Sequence, residues 1–302
     1  MQYLKSFRLA DENDELDFVL TRRSYQLDMA CYSGNNAYPF HLFPHKGLKD
    51  IEFAPITIIY GGNGSGKSTV LNIIAEKLGL IRTAPFNYNP VMEAYLEYCR
   101  YRICDGVYKL PDSSEIVTSD GVFDYLLDVR AINQGIDRER NEIFNEYDSK
   151  RRECIVNGWQ MKDLSDYDEL KARNEIRFGT KSKYTAKRMS GHELPEKSNG
   201  ESAFLYFTKR IKENALYLLD EPENSLSARL QAELAEYLES AVRFYGCQLI
   251  ISTHSPFILS MKGAKIYDLD ARPVSVRRWT ELENVRVYYD LFNKKRFEFE
   301  SI

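Results

Sequence analysis

The chain has 302 residues, 43% hydrophobic and 28% charged, with a formal net charge of −4. That composition is ample for a folded core and unlike a disordered chain, and the acidic balance gives no global support for nucleic-acid binding. Five cysteines (Cys31, Cys99, Cys104, Cys154 and Cys247), odd in number and without a C-x-x-C pair, argue against a disulfide framework or a zinc site.

The first residues lack a basic-then-apolar leader, and no stretch approaches the ~20 apolar residues of a membrane span, so a cytoplasmic protein away from the membrane is expected. Strands are expected at Tyr3–Leu9, Asp17–Leu20 and Ile51–Phe53, forming an antiparallel layer beside a buried strand at Ile56–Tyr60. His41 and His45 are four apart, but Pro44 breaks the helix that a metal-binding spacing would need. Tyr38, Phe40 and Phe43 are candidates for stacking on a base or for the core.

Directly after Tyr60 runs GGNGSGKST: Gly61, Gly62, Asn63, Gly64, Ser65, Gly66, Lys67, Ser68 and Thr69, which fits G-x-x-x-x-G-K-[ST]. A loop whose amides all point at phosphate oxygens needs backbone angles that glycine reaches, here at Gly61, Gly62, Gly64 and Gly66. Lys67 supplies a point charge for the β and γ phosphates, Ser68 a hydroxyl for Mg²⁺, and a helix from about Thr69 turns its positive end toward the same anion. The chain is therefore expected to bind a nucleoside triphosphate.

From about Pro90 to Glu193 the texture is helical, with helices expected at Val91–Cys104, Val122–Asn133, Asp137–Arg152 and Tyr167–Phe178. Residues 90–193 read as a helical insert within one domain spanning 1–302, too short and too weak in heptads for long coiled-coil arms. Inside it, the strand-like Glu115–Ser119 leads to Asp120-Gly121, read as a simple turn, with a water or Mg²⁺ contact by Asp120 as the other reading. Lys171, Arg173, Arg177, Lys181, Lys183, Lys187 and Arg188 crowd basic charge into one stretch: either a contact to a DNA or RNA backbone, or a solvated loop.

Ser198, Asn199, Gly200 and Glu201 open the amphipathic stretch Ser202–Phe207, as a polar turn capping a helix or as an anion-binding helix start. The buried run Ala215–Leu219 ends in Asp220-Glu221-Pro222, which places Asp220 to hold Mg²⁺ through water and Glu221 to orient or deprotonate an attacking water. Acids that merely start the next helix are the alternative. A further buried strand from Gln248 exits at Thr253-His254-Ser255-Pro256, and a parallel sheet would bring His254 to the same edge, within reach of the γ phosphate. Ala264–Asp270 reads as an edge strand and Thr280–Phe292 as a terminal helix, with Trp279, Tyr288 and Tyr289 as core or interface aromatics.

Taken together these motifs resemble an ABC-type ATPase: SNGES resembles its signature, Asp220-Glu221 its Walker B pair, Asn224-Ser225-Leu226-Ser227 its D-loop and His254 its switch histidine. YLLDEPENSLS and IISTHSPFIL are similar to soluble bacterial "AAA family" ATPases that group with the structural-maintenance-of-chromosomes and recombination ATPases. The resemblance implies an α/β P-loop NTPase fold of ABC-ATPase type, with a mixed sheet, a parallel core and antiparallel N-terminal strands. It implies ATP and Mg²⁺ as cofactors, and Ser198, Asn199, Gly200 and Glu201 completing the site of a second copy, so that ATP closes a homodimer and hydrolysis reopens it. It also implies control of a nucleic-acid or effector-protein partner, in genome maintenance or phage defence. Lys197 stands where leucine is usual, Ser227 where aspartate is usual, and no Q-loop is evident. The alternatives are an ATPase subunit of a membrane transporter, disfavoured by that missing loop, and a regulatory ATP-binding scaffold that does not hydrolyse.

Overall fold

The structure is a computed structural model that describes residues 1–21, 38–85, 90–156, 185, 188 and 198–300. The chain divides into two compact units, Met1–Asp124 with Ser198–Ile302, and Tyr125–Lys197. The second is narrower than the 90–193 insert expected, because residues 90–124 supply strands to the sheets of the first.

The first unit is built on a seven-stranded sheet. In chain order its strands are β3 (Ile56–Tyr60), β4 (Ile81–Arg82), β6 (Glu115–Thr118), β7 (Leu216–Asp220), β8 (Gln248–Thr253), β9 (Lys265–Asp268) and β10 (Ser275–Arg277). Their spatial order is β10-β9-β3-β8-β7-β6-β4, parallel throughout except for the antiparallel β10. Every residue of β3, β7 and β8 is buried, as continuous apolar runs in a sheet covered on both faces require. The edge-strand expectation for Ala264–Asp270 is corrected: β9 lies inside the sheet between β3 and β10, which is itself the edge.

A smaller antiparallel sheet of β1 (Leu4–Arg8), β2 (Asp50–Glu52) and β5 (Arg100–Ile103) runs in the order β2-β1-β5. The core gathers Leu4 and Phe7 of β1, Ile51 of β2, the buried face of helix α2 (Lys67–Leu78) and Tyr95 of helix α3 (Pro90–Tyr98). Two expectations are corrected here. Asp17–Leu20 is not a strand but part of helix α1 (Glu12–Thr21), started by Asp11, whose Oδ1 accepts from the amides of Asn13 and Asp14 at 3.0 Å each. Helix Val91–Cys104 stops at Tyr98, since Arg100–Ile103 pairs with β1 as β5, Arg100 opposite Arg8 and Tyr101 opposite Phe7.

The two sheets are pinned together by a buried amide. Gln248 Oε1 accepts from the backbone N–H groups of Tyr3 and Leu4, at 2.8 Å each, and its Nε2 donates to Leu4 O at 2.9 Å. Gln248→Ala strands two buried donors at the start of β1, and each unsatisfied buried group costs roughly 1–3 kcal/mol. We expect a loss of about 3 kcal/mol or more in urea unfolding; a loss below about 0.5 kcal/mol, the size of a neutral surface change, would show that Gln248 is not the pin.

Helix α4 (Ser119–Val156) is one element of 38 residues where two helices were expected. Asp120 and Gly121 lie in its first turn and do not form the isolated turn the sequence indicated. Val122, Leu126, Asn133, Ile136, Ile143 and Tyr147 are buried along it, and their steps of four, seven, three, seven and four keep one helical phase straight through Gly135. The expected helix Tyr167–Phe178 lies outside the described residues. Helix α5 (Asn199–Arg210) precedes β7, α6 (Ala228–Phe244) precedes β8, and a short α7 (Pro256–Leu259) follows it. The terminal helix is α8 (Glu283–Lys294), continued by α9 (Arg296–Glu300). Among the described residues no helix is long and apolar enough to cross a membrane.

Candidate nucleotide site

Register explains why distant motifs meet. Tyr60 pairs with Thr253 and Asp220 with Ser252, so β3, β7 and β8 end at one edge of the sheet. There the chain issues as the Gly61–Thr69 loop, the Glu221–Ser227 loop and the His254–Ser255 exit.

The loop wraps its own lysine. Lys67 Nζ, 4% exposed, donates to Gly61 O at 2.9 Å and Gly62 O at 3.1 Å and pairs with Glu221 Oε1 at 3.2 Å. Gly66 has φ +99°, in the left-handed region, and hands the chain to α2, which starts at Lys67, two residues before the expected Thr69. Gly61 is glycine for a different reason: a Cβ there would meet Ser65 Oγ at 2.5 Å. Gly62 needs neither device, so the demand for special backbone angles at all four glycines is corrected. Its N–H instead donates to Asp270 Oδ2 at 2.7 Å, a carboxylate just past β9 that the sequence did not flag.

Ser68 Oγ donates to Asp220 Oδ1 at 3.0 Å, and Ser252 Oγ donates to the same oxygen. Burial pushes the Asp220 carboxyl above its ordinary pKa, against the lowering pull of the two serine hydroxyls. A hydroxyl and a carboxylate form the hard-oxygen set that Mg²⁺ takes. Ser65 Oγ, buried inside the loop, makes no hydrogen bond of its own, a free polar atom in a cradle suited to an anion.

Glu221 has φ +47°, uncommon for a residue with a side chain and worth roughly 1 kcal/mol of strain or more. Its N–H donates to Ser252 O at 3.0 Å, and its Oε2 accepts from Asn224 Nδ2 at 3.2 Å. His254 is half exposed, with Nδ1 4.0 Å from Glu221 Oε1 and 3.5 Å from Glu223 Oε1. Lys67, Ser68, Asp220, Glu221 and His254 are thus brought together.

Ser198, Asn199, Gly200 and Glu201 are absent from the residues lining the cleft at this loop. They open α5 as a capping box, in which Ser198 Oγ accepts from the Glu201 N–H at 3.3 Å and Glu201 Oε2 accepts from the Ser198 N–H at 3.1 Å. A Cβ on Gly200 would lie 3.2 Å from Ser225 O, which sets this helix start against the loop after β7. The basic stretch Lys171–Arg188 lies outside the described residues, except that Arg188 pairs with Glu146 at 2.8 Å.

The cleft, about 320 Å³, is lined by Tyr38, Leu42, Asn63 to Thr69 and Glu221. Of the three aromatic candidates, Phe40 and Phe43 are core residues, whereas Tyr38 is 43% exposed and its hydroxyl hydrogen-bonds the Thr69 hydroxyl.

The family described as "AAA domain, putative AbiEii toxin, Type IV TA system" matches residues 131–260, and a second described as "AAA domain" matches residues 40–79. No curated protein matches the chain. Among solved structures it is similar to the SMC head domain of Thermotoga maritima, at 14% identity over 92% of this chain and 99% of that one, TM-score 0.40. It is also similar to an Smc head domain of Pyrococcus furiosus bound to the C-terminal domain of ScpA, at 13% identity over 98% and 100%, TM-score 0.42. A structure described as a metal-chelate type ABC transporter in an inward-facing conformation matches at 17% identity over 78% of each chain, TM-score 0.36. The two family matches give the chain a family resemblance to AAA ATPase domains and, with it, the general character of an ATP-binding domain.

Proposed function

We propose that this chain is an ATP-hydrolysing switch of ABC-ATPase type that pairs with a second copy around ATP and acts on a separate effector or nucleic-acid partner in the cytoplasm. The observation that carries the reading is the meeting of Lys67, Ser68, Asp220 and Glu221 within hydrogen-bond and ion-pair distance at one sheet edge. Loop amides and Lys67 hold the β and γ phosphates, and Glu221 orients the attacking water and draws its proton. Ser68 and Asp220 would hold Mg²⁺, which supplies charge stabilisation on the phosphate oxygens when bound. His254 reads the γ phosphate from the neighbouring strand. The α5 capping box, outside the residues lining the chain's own cleft, would offer Ser198 and Gly200 to the cleft of a second copy. The test is the solution mass of a Glu221→Gln variant with and without Mg-ATP. A doubling supports the reading, and a monomer under both conditions overturns the two-copy site.

Tyr38 is assigned to the adenine face on its exposure in the cleft beside the phosphate loop. Stacking of a base on an aromatic ring is worth about 1–3 kcal/mol, so Tyr38→Ala should raise the KM for ATP about 5- to 150-fold, while Tyr38→Phe stays near wild type. An unchanged KM in Tyr38→Ala removes the assignment.

A further inference from the structure

One buried carboxylate in this region has no part in the scheme above. Glu223 follows the Walker-type pair by two residues and is 5% exposed. Its Oε1 accepts from Thr253 Oγ1 at 2.6 Å, from the His254 N–H at 2.9 Å and from the Ser255 N–H at 3.2 Å. The same oxygen lies 3.5 Å from His254 Nδ1. Its Oε2 is buried and makes no hydrogen bond. An acid this enclosed is costly to keep ionised, and burial indeed raises its pKa.

We infer that Glu223 is a positioning residue for His254: it locks the backbone on which the histidine rides and holds Nδ1 in its protonated form, leaving Nε2 to face the nucleotide. The inference rests on the hydrolytic reading above for its catalytic consequence, but not for the geometry. The rest of the surroundings fit. The carbonyl of His254 accepts from Asn284 Nδ2 of α8 at 2.7 Å, and the Ser255 hydroxyl donates to Gln231 Oε1 of α6 at 2.7 Å. The backbone on both sides of His254 is therefore fixed, and what is left to set is the ring. Among the described residues, the charged groups paired with that ring are Glu223 at 3.5 Å and Glu221 at 4.0 Å, the latter also paired with Lys67; Asn284 and Gln231 are neutral. The ring nitrogen that a histidine protonates follows the acceptor beside it, and of the two carboxylates near Nδ1 the nearer is Glu223, at ion-pair distance.

Glutamate does here what glutamine does not. A glutamine oxygen would accept from the same three donors, but its amide group would then put two N–H groups in the buried place of an oxygen that no donor reaches. It would also remove the charge beside Nδ1. Because Glu223 lies in the loop that carries Glu221 while its partners lie at the end of β8, it couples the two strand exits that bracket the γ-phosphate position.

The test is a long-range ¹H–¹⁵N spectrum of the full chain at pH 8, with His254 picked out from the four histidines by its loss in His254→Ala. Wild-type His254 should carry its proton on Nδ1, and Glu223→Gln should move that ring's nitrogens while those of His41, His45 and His192 stay. A wild-type Nε2–H form overturns the proposal. In turnover, Glu223→Gln should lower kcat about ten- to hundredfold, the usual loss when an orienting partner is removed, with the KM for ATP nearly unchanged. The loss should vanish in a His254→Ala background; an equal loss there would make Glu223 a structural residue only. Because the spectrum needs no hydrolysis, a chain that shows the Nδ1–H form and no turnover keeps Glu223 in place and removes the hydrolytic reading.

Discussion

Glu221→Gln should hold ATP and fail to hydrolyse it. The carboxylate is aimed by three features that glutamine preserves in shape: a left-handed backbone at φ +47°, an N–H tied to Ser252 O at 3.0 Å and a side chain touched by Asn224 Nδ2 at 3.2 Å. What glutamine lacks is a site for the water's proton. General-base catalysis contributes about 10²–10⁴-fold, so kcat should fall by that factor. Affinity should not fall with it. In the wild type Glu221 sits 3.2 Å from Lys67 Nζ and neutralises that cation, and on the proposed reading it would add a negative charge beside the γ phosphate. Removing that charge lets Lys67 answer to ATP alone, so the Kd for Mg-ATP should hold or tighten. A fall in kcat with a matching loss of binding would mean that the ion pair shapes the loop, and turnover within about threefold of wild type would take Glu221 out of the base role.

The parts of this site that were legible in the sequence are those whose chemistry is local. Gly61 to Thr69 are contiguous because one turn of backbone would have to surround one phosphate chain, and Asp220-Glu221 are adjacent because a strand end delivers both. Tyr38, Asp270 and Asn284 belong to no such run. Asp270 and Asn284 reach the site because β3 is flanked by β8 and β9, a pairing that composition and periodicity do not encode, and Tyr38 reaches it through its hydroxyl contact with Thr69. Glu223 stood in plain view within the quoted stretch, but a glutamate after Pro222 reads as the start of a helix until Thr253, His254 and Ser255 are seen to converge on it.

The fold shows the same division. The apolar runs of β3, β7 and β8 are unambiguous because burial on both faces leaves no other pattern. Where a strand is short and exposed the signal fails: Arg100–Ile103 has a strand's alternation of charge with tyrosine and isoleucine, but four mostly exposed residues directly after a helical pattern read as its continuation, and they become a strand through their partner β1. Asp17–Leu20 is helical because, six residues back, Asp11 caps α1 and Glu12, Asp14 and Glu15 fill its first turn. At the other end, Trp279, Tyr288 and Tyr289 are neither core nor covered among the described residues; they line a groove of about 850 Å³ along α8.

Asp220→Asn should make the protein more stable and inactive at once. Burial raises the carboxyl's pKa in the folded protein, and the hydrogen bonds from Ser252 and Ser68 only partly oppose it. A raised folded-state value means that the folded protein holds this proton more tightly than the unfolded chain does. The group's stabilising contribution is therefore complete below its unfolded value, about 4, and is lost as pH rises through the folded one. At neutral pH an ionised Asp220 is a liability to the fold, and asparagine removes the charge while keeping an oxygen for both hydroxyls. The Tm of the variant should exceed that of the wild type at pH 7 without nucleotide, and the gap should close as pH falls through the raised folded-state value. With Mg-ATP the order should reverse, because ligand bound to the folded state adds stability in proportion to its affinity, and a cation prefers the carboxylate that the empty fold disfavours. Loss of a metal's charge stabilisation, several kcal/mol, lowers turnover at least about a thousandfold. The two halves of the result test different links. A Tm gap that does not depend on pH would remove burial as the cause, and full Mg-dependent turnover in the variant would move the cation away from Asp220 whatever the melting curves show.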